Sequence, residues 1–311
     1  MINFRFHLAS LIAIFLALAL GVVVGAGVID RGVVDTLNSR LDSVEHKSSQ
    51  IQGENNQLRG ENSELSNALA AERCHAVDNR LLATDVAVVA VRGVDENTVK
   101  QTVDAAGSKC ADGQVNGVLW LESKWALDNA DDVKAMADLL GLSSRRAATV
   151  RAAAWKQLAE RLRGATPSDT SPDVLAAMQD AGFVKLDGGP SGTEISQFPT
   201  RGASTLFVVG GDADIPDQDV VVPAATALHE AGIPLVVADV YVKTTDGPGR
   251  GGVFDDLKGT ESLDKNVSTV DDLDRPQGPA TAILALAALQ QVPPVVGHYG
   301  IEGGDALPAV Q

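Results

Sequence analysis

The sequence has few of the residues that soft-metal sites and nucleic-acid interfaces use. Its 311 residues include two cysteines, three methionines and five histidines, and aromatic residues make up 4%. Soft ions such as Cu(I) prefer thiolate and thioether ligands, so the sequence offers them few positions. Only 25 basic residues stand against 41 acidic ones, which gives a formal net charge of −16. Because phosphate neutralisation needs a surplus of Lys and Arg, we predict no nucleic-acid partner.

Signatures of catalysis are also missing from the sequence. No GxSxG nucleophile motif occurs, and the histidines are scattered along the chain. Asp271, Asp272 and Asp274 place three carboxylates within four residues, a pattern that can ligate a hard cation or act as an acid–base pair. Their spacing matches no calcium loop, and Arg275 and Pro276 follow at once, so we interpret them as a solvated, helix-capping turn. We predict no catalytic, cofactor or metal site and no enzymatic activity.

A long uncharged segment lies near the amino terminus. Leu8–Ile29 contains 22 residues without a charge, which is enough for one helix to cross a bilayer. A cleaved signal has a shorter apolar stretch, so a retained anchor is favoured, although 24–26 is a tolerable cleavage site. Arg5 precedes the segment, and Asp30 and Asp35 follow it. The positive-inside rule therefore predicts a cytoplasmic amino terminus and an extracytoplasmic remainder of the chain. The anchor domain is assigned to residues 1–30.

Residues 31–80 carry a heptad pattern. Apolar residues, together with Ser48 and two asparagines, recur at alternating spacings of three and four over more than five heptads, which favours a coiled coil. The predicted dimer seam contains Val34, Leu37, Leu41, Val44, Ile51, Asn55, Leu58, Asn62, Leu65 and Leu69. Asparagine at a positions can fix register and favour two strands. We predict a coiled-coil stalk that forms a homodimer; the alternative is a lone helix packed on the globular part.

The two cysteines, Cys74 and Cys110, both follow the predicted anchor. Extracytoplasmic surroundings are oxidising, so we predict a disulfide that ties the end of the stalk to the region before the second strand. The alternative is a soft-metal site at Cys74 and His75, which no CxxC motif or methionine cluster supports.

Residues 81–311 alternate between strand and helix patterns and hold most of the negative charge, with 18 basic and 32 acidic residues. Strands are predicted at 85–91, 115–121, 205–209, 234–240 and 266–270, and loops at 166–171 and 187–192. Helices are predicted at 95–106, 130–140, 144–163, 172–180, 221–231 and 277–291. Asp95 and Ser144 are the predicted amino-terminal caps of helices 95–106 and 144–163. Strands separated by helices of about ten residues indicate an extracytoplasmic α/β domain with a mainly parallel sheet.

Two strand ends and one helix of this domain are candidate binding sites. Open parallel sheets bind ligands beyond the carboxyl ends of their strands, where 210–214 and Asp239 lie. The glycine runs at 210–214 and 247–252 match no phosphate-binding motif and are interpreted as turns. Helix 144–163 is basic and is interpreted as a solvated face, with contact to a partner or an anionic polymer as the alternative. Its basic residues are Arg145, Arg146, Arg151, Lys156, Arg161 and Arg163.

Three carboxy-terminal motifs support a resemblance to a known family. They are 268–274 (STVDDLD), 283–286 (ILAL) and 297–300 (GHYG). Together with the anchor and stalk, they resemble the actinobacterial copper transport protein B family, the mycobacterial copper transporter family. The resemblance implies an envelope protein of mycobacteria and corynebacteria with a role in copper efflux, and copper as the transported ion. The alternative that it implies is a noncatalytic scaffold that partners a cell-division factor controlling peptidoglycan hydrolysis.

Overall fold

The computed structural model describes residues 4–164, 173–188, 195, 198, 202–210, 213–243 and 249–307, without the side chains of 26–34 and 116. The chain divides into two compact units, Met1–Leu65 and Ser66–Gln311. The predicted loop 166–171 lies outside the described residues, as do 189–192, 211–212 and 247–248. The stalk and domain boundaries of the sequence analysis stay predictions.

The first helix, α1, runs without a break over Phe4–Val77. Its candidate membrane span is Phe4–Gly25, 22 residues with a mean hydropathy of 2.7. Residues 26–29 of the predicted anchor lie outside the described side chains. An apolar helix at the amino terminus is thus present, as the sequence predicts. That α1 pairs with a second copy stays a prediction.

The remaining elements form the α/β body of the second unit. Its strands are β1 Asp85–Val91, β2 Gln114–Leu121, β3 Val184–Gly188, β4 Ser204–Gly210, β5 Leu235–Val240, β6 Ser268–Val270 and β7 His298–Tyr299. Its helices are α2 Glu96–Ala106, α3 Ala130–Leu139, α4 Ala147–Leu162, α5 Val174–Asp180, α6 Asp217–Glu230, α7 Asp255–Lys258, α8 Glu261–Asp264 and α9 Gly278–Ala288. Two short 3₁₀ helices cover Ser123–Ala126 and Gly252–Phe254.

The described strands form one mainly parallel sheet, as predicted. Their order is β3-β2-β1-β4-β5-β6-β7, and β3 alone runs antiparallel to its neighbour. The chain order reverses between β1 and β4, so the carboxyl ends of these strands mark a topological switch point. β1, β4 and β5 are buried along their whole length, as expected for continuous apolar strands of a parallel sheet.

Helices that pack in separate groups cover the sheet and close the core. α2 packs against α9, whereas α4 packs against α3 and α6. Trp125, Trp155 and Phe207 are among the largest fully buried side chains. They stack edge to face with centroid distances of 5.3 and 5.4 Å, a favoured aromatic geometry.

Several predicted boundaries are wrong. Asp187 and Gly188, predicted as loop, end the antiparallel edge strand β3, whose partly exposed side chains carry no continuous apolar signal. α6 begins at Asp217, four residues before the predicted start, because its first turn is acidic and gave no apolar pattern. α4 begins at Ala147, and Ser144 is not its cap. The predicted cap at Asp95 is confirmed, since its side chain accepts from the backbone N–H of Thr98.

Candidate functional site

The pairing of β6 with β7 brings two of the three carboxy-terminal motifs together at one edge of the sheet. β6 holds the first residues of the 268–274 motif, and β7 holds the middle of the 297–300 motif. The two strands pair in parallel, with Thr269 opposite His298 and Val270 opposite Tyr299. The position of these motifs side by side could not be predicted from the sequence, because β7 is too short to give a strand pattern.

Polar side chains join these two motifs strand to strand. The hydroxyl of Ser268 accepts the backbone N–H of Gly297 at 3.2 Å. The hydroxyl of Thr269 lies 2.9 Å from Nδ1 of His298. Both hydroxyl residues are buried, so these bonds satisfy groups that would otherwise be costly to remove from water. Ser268, Thr269 and His298 of the two motifs therefore hold the edge strand β7 against β6.

His298 uses both of its ring nitrogens within the body. Its Nε2 lies 3.0 Å from Oδ1 of Asp264, and its Nδ1 contacts Thr269. Its backbone N–H donates to Asp305 at 2.6 Å. A copper ion would have to displace one of these contacts to gain an imidazole ligand. The arrangement thus fits a structural histidine better than a metal ligand.

Asp271 fastens the segment that follows β7. Its two carboxylate oxygens accept the backbone N–H groups of Ile301 and Glu302 at 2.7 and 2.9 Å. Gly300 has a φ of +121°, and a Cβ at that position would collide with the Asp271 carboxylate. Glycine is needed there both for the backbone conformation and for the close approach of Asp271.

Arg250 is the cation that balances this carboxylate-rich edge. Its guanidinium donates to both oxygens of Asp274 at 2.6 and 2.9 Å and also to the backbone carbonyl of Asp271. It stacks over the ring of Tyr241, with 4.5 Å to the ring centroid. A two-pronged contact of this kind fixes the guanidinium in one orientation. The loop before α7 is thereby tied to the turn after β6.

The neighbouring carboxylates are buried, and burial changes their protonation. Desolvation raises the pKa of Asp239 to about 7, with repulsion from Asp217 as a further cause. Desolvation also raises the pKa of Asp217 to about 6 and raises the pKa of Asp272. We call Asp217, Asp239, Asp271, Asp272 and Asp274 with Arg250 the carboxylate cluster. Part of it holds protons near neutral pH.

The burial of this cluster contradicts one interpretation from the sequence. Asp271 and Asp272 are only 2% and 3% exposed, so the predicted solvated turn is wrong. Their burial depends on Arg250, which is distant in the sequence, and on the backbone beyond β7. Arg250 and Asp217 could not be predicted as members of the cluster, since neither lies in a recognisable sequence motif.

Among the described residues, no group of three or more His, Cys, Asp or Glu side chains is arranged to hold a metal ion. The sulfur atoms of Cys74 and Cys110 are joined in a disulfide, with 4.5 Å between the Cα atoms. Sulfur in a disulfide is not a thiolate ligand, so a site at Cys74 would first require reduction. Oxidation of this pair in the cell stays a prediction.

Apart from the carboxylate cluster, an open cleft lies at the carboxyl ends of β1 and β2, near the switch point. It has a volume of about 800 Å³ and is lined by charges of both signs, including Arg92, Glu122 and Lys185. Arg92 donates to Glu122 at 2.7 Å and stacks over Trp120 at 4.3 Å. The principal cation of the cleft is therefore already neutralised by its surroundings.

The basic helix α4 is only partly the solvated face that the sequence predicts. Arg151 is buried; it donates to Asp219 at 2.8 Å and to the carbonyl of Ala126. Arg161 is also buried and lies 3.5 Å from Asp173. These two arginines connect α4 to its neighbours, which removes them from any surface that could contact an anionic partner.

The predicted seam residues of α1 are spread along one exposed helix. Those described are Leu37, Leu41, Val44, Ile51, Asn55, Leu58, Asn62, Leu65 and Leu69, and all of them are exposed in the single chain. The side chain of Val34 lies outside the described residues. An apolar row that its own chain does not cover is typical of an interaction surface.

Comparison with known proteins gives one family match. The model described as "Copper transport outer membrane protein, MctB" matches residues 1–309, nearly the whole chain. No curated protein sequence matches the chain.

Proposed function

We propose that this chain, which belongs to the copper transport outer membrane protein family, is a noncatalytic, dimeric, membrane-anchored component of copper efflux. Family membership makes it a copper-transport-related envelope protein. The single observation that carries the proposal is the family match over residues 1–309. The finer features, namely the dimer, its orientation and the absence of catalysis, are our proposal.

The mode of action that we propose is scaffolding rather than copper ligation by the body. His298 and the hydroxyl residues of the motifs are used in internal bonds, and the Cys74 and Cys110 sulfurs are joined to each other. The one candidate span among the described residues cannot enclose a pore by itself, since a helical channel requires several helices. Copper passage would therefore take place in an assembly that this chain anchors and organises.

The proposed topology follows from the amino-terminal helix. Phe4–Gly25 is long and apolar enough to cross the bilayer, with Arg5 at its amino-terminal end. We propose a cytoplasmic amino terminus and an extracytoplasmic α/β body. A protease added outside intact cells should then cut the body and spare an amino-terminal tag. Cutting of the tag instead would contradict this orientation.

The copper role is tested by deletion and complementation. Cells that lack the chain should hold more copper after exposure to copper salts, measured as total cell-associated metal. Restoring the full chain should return the copper content to the starting value. If deletion leaves cellular copper unchanged, the efflux proposal is wrong.

The scaffolding mode is tested by metal binding to the purified full chain. Equilibrium dialysis against Cu(I) and against Cu(II) should show less than one bound ion per chain. Stoichiometric binding that His298→Ala or the joint Cys74→Ser and Cys110→Ser change removes would overturn this mode. Such a result would leave the efflux role itself intact.

A second candidate function is a scaffold for a cell-division factor that controls peptidoglycan hydrolysis. The observation that favours it is the same internal use of the motif residues, which leaves no specific copper chemistry among the described side chains. Crosslinking in native membranes followed by identification of the captured proteins separates the two roles. Capture of metal-handling proteins supports efflux, and capture of hydrolase regulators supports the alternative.

A further inference from the structure

One face of β2 is covered less completely than the neighbouring strands. α2 packs against β1 and β2, and α9 packs against α2 and against β4, β5 and β6. α5, which contacts β3, packs instead with α3 and α4. Within the described part of the chain, a strip of β2 between α2 and β3 is therefore left without a helix, although parallel sheets normally carry helices on both faces. Val115 and Val118 on this strip are only partly buried.

The uncovered strip forms a half-open groove with a volume of about 780 Å³. Val115, Val118 and Trp120 of β2 line its floor, and Val99 and Val103 of α2 line one wall. Ligand sites of proteins typically have volumes of about 300–1,000 Å³ and are lined mainly by apolar side chains. The groove thus has the size and the lining of a site for an apolar ligand. We call the groove between α2 and residues 113–120 and 187–188 the edge groove.

Arg92 closes the edge groove toward the carboxyl ends of the strands. Its guanidinium lies 3.2 Å from the carboxylate of Glu96 on α2 and 3.9 Å from that of Asp187 on β3, and it stacks over the ring of Trp120. Because all three residues line the groove, Arg92 spans it from wall to wall. The floor from Val115 to Trp120 is about 17 Å long at roughly 3.3 Å per residue. A short groove with one closed end suits a single chain-like molecule better than a partner helix, which would have to rise over Arg92.

The charges of the edge groove leave one cation without a counter-charge. The charged residues that line it are Glu96, Lys100, Asp104, Lys109 and Asp187. Glu96 and Asp187 pair with Arg92, and Asp104 pairs with Lys109 at 2.8 Å. Lys100 is exposed and has no ion pair with any described residue. One uncompensated ammonium beside an apolar floor is complementary to a ligand that carries one negative charge on an apolar chain.

We propose that the edge groove binds a single-chain amphiphile with a carboxylate headgroup, a molecule of the long-chain fatty acid class. The chain would lie along the floor, where its burial supplies the driving force, and the carboxylate would pair with Lys100. A phosphate monoester would bring nearly two negative charges to a rim where three carboxylates stand near one unpaired lysine, so the carboxylate fits the charge balance better. This inference depends on neither the copper role nor the dimer.

Photolabelling of the full chain in native membranes tests the inference. The probe is a hexadecanoic acid with a diazirine in its chain, and mass spectrometry locates the labelled segments after digestion. We expect label on 96–109 and 113–121, and also on the candidate span Phe4–Gly25, which reports the probe dissolved in the bilayer. Excess hexadecanoate should remove the label from the groove segments, whereas excess hexadecyltrimethylammonium should not. Equal competition by the two would overturn the assignment of the headgroup.

A charge variant tests the proposed partner of the headgroup. Lys100→Gln should lower the label on the groove segments about fivefold, the order expected for loss of an exposed ion pair, and leave the label on the span unchanged. Lys156→Gln, which changes an exposed lysine on α4, is the matched control and should label like the unchanged chain.

Three results would overturn the proposal. The first is label confined to the span, and the second is equal groove label in Lys100→Gln and in the unchanged chain. The third is groove label that appears only after peripheral proteins have been washed from the membranes with salt, because the occupant of the groove would then be a protein.

Discussion

The two units of the chain differ in the side chains that they leave in unfavourable surroundings. The first exposes apolar side chains, and the second buries charged ones. In Met1–Leu65, the large apolar side chains that the structure describes are exposed, and the chain itself covers none of the described seam residues. In Ser66–Gln311, charged side chains such as Asp239, Asp271 and Arg151 are buried and held by partners from distant parts of the same chain. We therefore expect the first unit to depend on surroundings outside the chain, whereas the second pairs its buried charges within the chain.

This difference shows where the specificity of each unit resides. A heptad repeat can be recognised without knowing its partner, because the repeat itself is the interface. The carboxylate cluster becomes understandable only when the loop at Arg250 and the segment after β7 are in place. Changes that remove the partner of either unit should consequently disrupt it. Loss of the seam should separate the stalk dimer, and loss of Arg250 should destabilise the body.

The largest effect is expected from the stalk. Changing Leu41, Ile51 and Leu58 together to Asn should abolish the dimer, because loss of buried apolar contact costs roughly 2–5 kcal/mol at each site. The oligomeric state is measured by multi-angle light scattering of the full chain in detergent. The matched control changes Ser43, Ser49 and Ser63, which lie off the seam, to Asn and should remain dimeric. A dimeric seam variant would show that the stalk is not the dimer contact.

Among single substitutions in the body, replacement of Arg250 in the carboxylate cluster should lower the unfolding free energy most. Arg250→Gln removes the two-pronged partner of Asp274 and leaves only the exposed Arg275, 3.5 Å away, to balance this largely buried carboxylate, which should cost about 3–5 kcal/mol of unfolding free energy. Urea denaturation followed by tryptophan fluorescence measures the loss. Arg275→Gln, an exposed neighbour, is the control and should cost less than about 1 kcal/mol. Equal stability of the two variants would refute the structural importance of Arg250.

Loss of the disulfide should have a smaller effect. Changing Cys74 and Cys110 to Ser opens a link between residues 36 apart in sequence and should cost about 2–4 kcal/mol. The denaturation midpoint of the oxidised chain is compared with that of the variant and of the reduced chain. If thiol titration of the protein from cells finds two free thiols, the predicted oxidation is wrong.

The smallest effect concerns pH. Because Asp217 and Asp239 have raised pKa values, the folded body binds protons between about pH 4 and pH 7 that the unfolded chain has released. Their contribution to stability is therefore present at low pH and is lost as pH rises through 6 to 7. We expect these groups to make the body roughly 1–2 kcal/mol more stable at pH 5.5 than at pH 8. Asp239→Asn should flatten this dependence; an unchanged slope would contradict the assignment.

Whether contacts are local or long-range also explains which strands and caps could be predicted from the sequence. Val86–Val91 and Thr205–Val209 are continuous apolar runs, so the buried parallel strands could be recognised locally. β3 and β7 could not, since one is partly exposed and the other is two residues long. The helix cap at Asp95 could be predicted because its hydrogen bond involves only Thr98, three residues along the chain.

The candidate site was harder to predict than the strands. Asp271 and Asp272 look like solvent-exposed turn residues in the sequence, because their burial is produced by Arg250 and by backbone groups beyond residue 300. The motifs at 268–274 and 297–300 were recognisable as family-like signatures, but their shared role in holding the edge strand required the pairing of β6 with β7. Long-range contacts of this kind leave no periodic signal.

We propose that the chain supports copper efflux as an anchored dimer. The most direct test is the copper content of copper-exposed cells whose only copy carries Asn at Leu41, Ile51 and Leu58, with membrane abundance checked by immunoblot. We predict as much cellular copper as in cells that lack the chain, whereas the Ser43, Ser49 and Ser63 control should restore normal copper. Normal copper in cells with a membrane-inserted, monomeric seam variant would contradict the claim.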